Sequence, residues 1–203
     1  MTMRGLAVDG YDINPAAVKR AIDDNVIAGE AKSFAGYDYY IISISTHNPD
    51  NMFLPQHDGI IKVSRRIAHE GKAGALVCIE STIPRGASRQ VAAALAEKGK
   101  ELYLVHVPHR YYSHEKANHG VNQTRVIGAI DDRSMEEGIK FYGERLGIPL
   151  YRVSSIEVAE LSKIVENSYR FLEIAFAEEL KMICDRTGIN FDELRSAVNT
   201  KWN

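Results

Sequence analysis

Cysteine is scarce in this 203-residue sequence, which has only Cys78 and Cys184. They lie far apart, in neither a CxxC pair nor a Cys/His ligand spacing, and a reducing cytoplasm is the expected setting. Long apolar runs are lacking too. None approaches the roughly 20 residues that span a bilayer, and the opening MTMRGLAVDGYD has no signal-peptide core, so neither membrane insertion nor secretion is expected. An excess of one charge is also missing: 25 Lys and Arg balance 27 Asp and Glu, a formal net charge of -2. That leaves no global electrostatic footprint for nucleic acid, and any anionic ligand must be met locally. Internal repeats, low-complexity linkers and the phosphate-binding patterns GxGxxG and GxxxxGK[ST] are not found.

What is present is an alternation. Short apolar, β-rich runs recur at Leu6 to Tyr11, Tyr39 to Ser45, Ala75 to Ile79, Leu102 to Val107 and Arg125 to Ala129, and each predicts a strand. Helical patterns lie between most of them, at Pro15 to Asp24, Gly59 to Ala68, Gly86 to Lys98 and Arg133 to Leu146. Strands that alternate with helices predict a parallel sheet with helices on its faces. ALVCI and YYIISI are continuously apolar, as strands buried on both sides are. Asn14 is placed to cap a helix that begins at Pro15, with Ile13 and Val18 spaced as a hydrophobic staple.

Beyond about Ser154 the strand signals stop. A helical pattern runs from Ile156 to about Thr187, where Gly188 ends it, and Asn190 opens a second helix with Glu193 at the capping-box position and Ile189 facing Leu194. The division expected is 1–153 for an incomplete Rossmann-like α/β domain and 154–203 for the long helix with the start of an all-helical domain. Apolar residues in FLEIAFAEELKMIC cover more than one ordinary core-facing stripe, which predicts a partner surface.

Several polar residues sit where ligands are met. Asp12, at the carboxyl end of the first strand, has the position from which an acid accepts hydrogen bonds from ribose hydroxyls, although Asp also serves as a cap or turn residue. Thr46 in SISTHNP and Thr82 in IESTIPRG follow the next two strands, and open parallel sheets bind ligands beyond such ends. HVPHRYYSHEKANHG holds His106, His109, His114 and His119, but the irregular spacing argues against a metal site. Its Arg110 is suited to a phosphate or carboxylate, which a guanidinium grips bidentately. Lys163 and Asn167 fall four apart on the long helix, one turn above the other. Lys163 is spaced to pair with Glu160 at i,i+3, or with Asn167 to aim two donors into a pocket.

Taken together, GYDIN, IISIST, ESTIPRG, VPHR with NQTRVIGAI, and EVAELSKIVENSYRFLEIAFAEEL resemble the UDP-glucose/GDP-mannose dehydrogenase family, in family order over nearly the whole chain. The resemblance is closest to its UDP-N-acetylmannosamine and UDP-N-acetylgalactosamine-type 6-dehydrogenases. It implies a Rossmann domain, a helical dimerisation domain and a second Rossmann-like domain. It further implies oxidation of the C6 alcohol of a UDP-sugar to a uronic acid with two NAD, through a cysteine thiohemiacetal, in polysaccharide biosynthesis.

By the same resemblance Lys163 and Asn167 would stabilise developing oxyanion charge. Asp12 would hold the adenosine ribose, Thr46 and Thr82 would line the cofactor and reaction site, and His109 with Arg110 would match a Pro-Glu-Arg element. His109 stands where the family has Glu, so an imidazole would take the place of a carboxylate acting on water. The glycine-rich loop and the Gly-Gly-His-Cys nucleophile element do not occur in these residues, so the resemblance implies a chain shortened at both ends and inactive alone. An alternative is a non-catalytic dimerisation or ligand-binding module. A homodimer through the long helix is expected in either case.

Overall fold

The computed structural model describes residues 5–51, 53–110 and 123–201. The chain divides into two compact units, residues 1–162 and 163–203.

The first unit is built on a five-stranded sheet in the order β3 (Tyr39–Ile42), β4 (Leu76–Ile79), β5 (Tyr103–His106), β6 (Arg125–Ala129) and β7 (Leu150–Arg152). All neighbours are parallel except β5 and β6, which pair antiparallel. Helices α2 (Asp58–Glu70) and α3 (Ala87–Ala96) carry the chain back after β3 and β4, as the parallel pairing of these strands requires. Strand β7 is a short element that the apolar pattern did not predict: its residues Leu150, Tyr151 and Arg152 are mostly exposed.

Residues on the two faces of the sheet enter different cores. Val77, Ile79, Tyr40, Ile42 and Leu104 face α2 and α3, where they meet Ile60, Ile67, Val91 and Leu95. Leu76, Cys78, Val105 and Ile127 face the other way, onto Met135, Phe141, Tyr142 and Leu146. All four residues of β4 are buried, as the continuous apolar run requires. At roughly 1.5–3 kcal/mol for each fully buried aliphatic side chain, these two cores supply the main drive to fold the unit.

The helix expected over Arg133 to Leu146 resolves into α4 (Asp132–Gly138), capped by Asp131, and a π-helical segment, Ile139–Arg145. The first predicted strand is paired only at β1 (Asp9–Gly10), in a separate two-stranded parallel sheet with β2 (Gly29–Glu30). Helix α1 (Pro15–Asp23) begins as predicted, with the Asn14 side chain accepting from Ala16 N at 3.0 Å. The staple does not form, because Ile13 is 90% exposed while Val18 is buried.

Helix α5 runs unbroken from Ile156 to Thr187. Its first residues pack within the first unit: a Cβ at Gly128 of β6 would lie 2.8 Å from Ala159 Cβ and 2.9 Å from Ile156 Cα, so only glycine permits this approach. In the second unit, Gly188 ends the helix with φ 71°, a left-handed conformation that glycine adopts without strain. Asn190 then caps α6 (Phe191–Val198), accepting from Glu193 N at 3.0 Å.

Candidate active site at the carboxyl edge of the sheet

The register aligns Ile42, Ile79 and His106, so three strands end side by side and their following loops form one rim. Hydrogen bonds across these loops gather the predicted residues. Thr46 Oγ1 donates to the Thr82 carbonyl at 2.7 Å, joining the two threonines directly. Ser81 Oγ donates to the Ile44 carbonyl at 2.7 Å, and His109 N donates to the Glu80 carbonyl at 3.2 Å. Arg110, one residue on, donates from Nη1 to the Thr124 carbonyl at 2.9 Å. Thr46, Thr82, His109 and Arg110 thus belong to three adjacent loop starts. His114, His119 and Asn122 lie outside the described residues.

Beneath this rim is a buried polar cluster that no local sequence pattern marks. Glu80, first residue after β4, and Arg125, first residue of β6, form a bidentate ion pair with both contacts at 3.1 Å. Tyr142 Oη donates to Glu80 Oε1 at 2.6 Å, and Arg125 Nη2 donates to the Val107 carbonyl at 2.7 Å. Burial pushes the Tyr142 hydroxyl well above its ordinary range, and neighbouring Cys78 and Glu80 push the same way, so it acts as a donor and not as an acid. A charge abutting a fully buried strand must be paired, and that rule is the signal that could have found Glu80 and Arg125.

Glu160 corrects one expectation. It is fully buried, and its carboxylate accepts from Gly86 N at 2.6 Å and Ser88 N at 2.7 Å, at the amino end of α3. Lys163 instead lies 3.4 Å from Glu166, with its side chain only 14% exposed. Lys163 and Asn167 occupy successive turns of α5 within the second unit, and Asn167 is exposed. Asp12 is exposed, past the end of β1, where its Oδ1 accepts from Asn14 N at 2.7 Å, so it also has the local turn role open to Asp.

Both cysteines are buried. Burial raises the Cys78 thiol far above its ordinary value, which leaves it protonated and unreactive. Among the described residues no group of three or more His, Cys, Asp or Glu is placed to hold a metal ion. No helix of the described residues is long and apolar enough to cross a membrane.

An α/β sheet whose strands end together on one carboxyl rim, followed by a long helix bearing Lys163 and Asn167, is the order of two known domains. Residues 5–145 match the NAD-binding domain, and residues 157–203 the central domain, of the UDP-glucose/GDP-mannose dehydrogenase family. The chain belongs to that family. It is 32% identical over 179 residues to UDP-N-acetyl-D-mannosamine dehydrogenase of Campylobacter jejuni, covering 80% of this chain and 42% of the relative. To UDP-N-acetyl-D-glucosamine 6-dehydrogenase of Pseudomonas aeruginosa it is 30% identical over 219 residues, covering 97% of this chain and 52% of the relative. The chain therefore spans about half the length of these curated relatives. Among solved structures, a UDP-glucose dehydrogenase from Pyrobaculum islandicum superposes with a TM-score of 0.79 at 24% identity, over 97% of this chain and 51% of that one. It is a likeness of fold.

Proposed function

We propose that this chain provides the NAD-binding domain and the start of the central domain of an NAD-dependent nucleotide-sugar 6-dehydrogenase, oxidising the C6 alcohol of a UDP-sugar to a uronic acid for polysaccharide biosynthesis. The observation that carries this reading is the ordered match of both family domains along one chain. Bound NAD would supply the hydride acceptor. The exposed Asp12 carboxylate, past a strand end, suits hydrogen bonds from ribose hydroxyls. Thr82, whose carbonyl is held by Thr46, would line the reacting end of the cofactor.

Lys163 and Asn167 would donate to an oxygen that gathers negative charge, and the shielding of the Lys163 side chain favours that use. His109 is the candidate base, and Arg110 would grip an anionic group of the sugar nucleotide. A homodimer is proposed through α5, and the cytoplasm is proposed as the site of action. The testing experiment measures NADH formation by the polypeptide its gene encodes, with UDP-N-acetylmannosamine and UDP-N-acetylglucosamine as substrates. Turnover that Lys163→Ala abolishes is expected; turnover unchanged by Lys163→Ala would overturn the reading.

A further inference from the structure

The segment that follows β5 carries His109 and Arg110, and three of its contacts reach neighbouring strands. The Val107 carbonyl accepts from Arg125 Nη2, the Glu80 carbonyl accepts from His109 N, and Arg110 Nη1 donates to Thr124, the residue before Arg125. Glu80, just after β4, and Arg125, which opens β6, with its neighbour Thr124, therefore converge on this one short segment.

Their ion pair is buried, with side-chain exposures of 5% and 7% for Arg125 and Glu80. Burial of two charges gives little net stability, because desolvation offsets the attraction. What a bidentate pair does supply is a fixed geometry. Tyr142 completes it from the π-helical segment, a distortion frequent at functional sites. The Tyr142 ring also lies under the Arg125 guanidinium, 5.3 Å from its carbon to the ring centre.

We infer that Glu80, Arg125 and Tyr142 are positioning residues that set segment 107–110, so that a buried ion pair fixes how His109 and Arg110 are presented to the substrate. The inference rests on the proposed roles of His109 and Arg110 for its functional meaning, but its physical content does not. Amide hydrogen exchange on the 203-residue chain separates the two.

Tyr142→Phe removes only one hydroxyl from the cluster, so the fold should survive. Exchange at the His109 amide should speed up at least tenfold, while Val77 and Leu104 in the strand interiors stay within twofold. Glu80→Gln, which keeps shape and removes charge, should give a larger change confined to the same segment. Equal acceleration at all amides would assign the cluster a merely global structural role and overturn the inference, as would an unchanged His109 amide in both variants. Neither result bears on whether the gene product oxidises a UDP-sugar, which the NADH assay decides independently.

Discussion

The Thr46 hydroxyl donates to the Thr82 carbonyl, 2.7 Å away across the ends of two neighbouring strands. Two residues 36 apart in sequence thereby share one rim, and the proton of Thr46 is committed to the protein and not to a ligand. Toward a cofactor this hydroxyl can act only as an acceptor.

Thr46→Val should therefore destabilise the first unit by about 1 kcal/mol, the net worth of one such hydrogen bond. Thr46→Ser keeps the donor and should match the parent. Urea denaturation of the three proteins checks this; equal midpoints for all of them would show that the bond holds nothing.

Removal of the Glu160 carboxylate strips the acceptor from two amides at the amino end of α3. Charge-assisted bonds of this kind are worth roughly 1.5–3 kcal/mol each, so Glu160→Ala should cost on the order of 3 kcal/mol or more. Glu160→Gln retains one acceptor oxygen and should lose about half as much. Differential scanning fluorimetry ranks the variants, and a Gln variant as weak as Ala would contradict the assignment.

Acid sensitivity should begin above the carboxylate range. His106 is fully buried, and burial, helped by the Arg125 charge and opposed by the Ile79 backbone, drops it from an ordinary 6.5 to about 4. Between those values the unfolded chain takes up a proton and the folded chain does not, so stability rises with pH there. The contribution is intact above 6.5 and is lost as pH falls through 4, about 3 kcal/mol in total. Denaturation midpoints measured from pH 7 to 5 should fall in the parent and stay flatter in His106→Leu; parallel slopes would rule His106 out as the cause.

Along α5, Val165, Tyr169, Leu172 and Phe176 follow a spacing of four, three and four, and each is more than 60% exposed. An apolar row of that length on one face is what a helix presents to a partner. Sedimentation at micromolar concentration should report a dimer, and Leu172→Glu with Phe176→Glu should return it to a monomer. A parent protein that sediments as a monomer would remove the basis for the proposed homodimer.

Much of the fold was legible because its signals are local. Asn14 before Pro15, Gly188 after Thr187 and the unbroken apolar run of β4 each fix an element from a few neighbouring residues. The reversed direction of β6 has no such local signal. Thr46 and Thr82 are legible because their loops follow recognisable strands, whereas Glu80, Arg125 and Tyr142 meet only through contacts 45 and 62 residues apart, and Glu160 meets α3 across 74. Glu160 was the misleading case: its spacing to Lys163 suggested a surface pair, and the burial of the turn that carries it decided otherwise.

That turn has one more consequence. An exposed amino end of a helix attracts phosphate, but α3 already houses a resident anion donated by its own polypeptide. A phosphate brought to this helix end would find both amides already committed, so the amino end of α3 has no counter-charge to offer it.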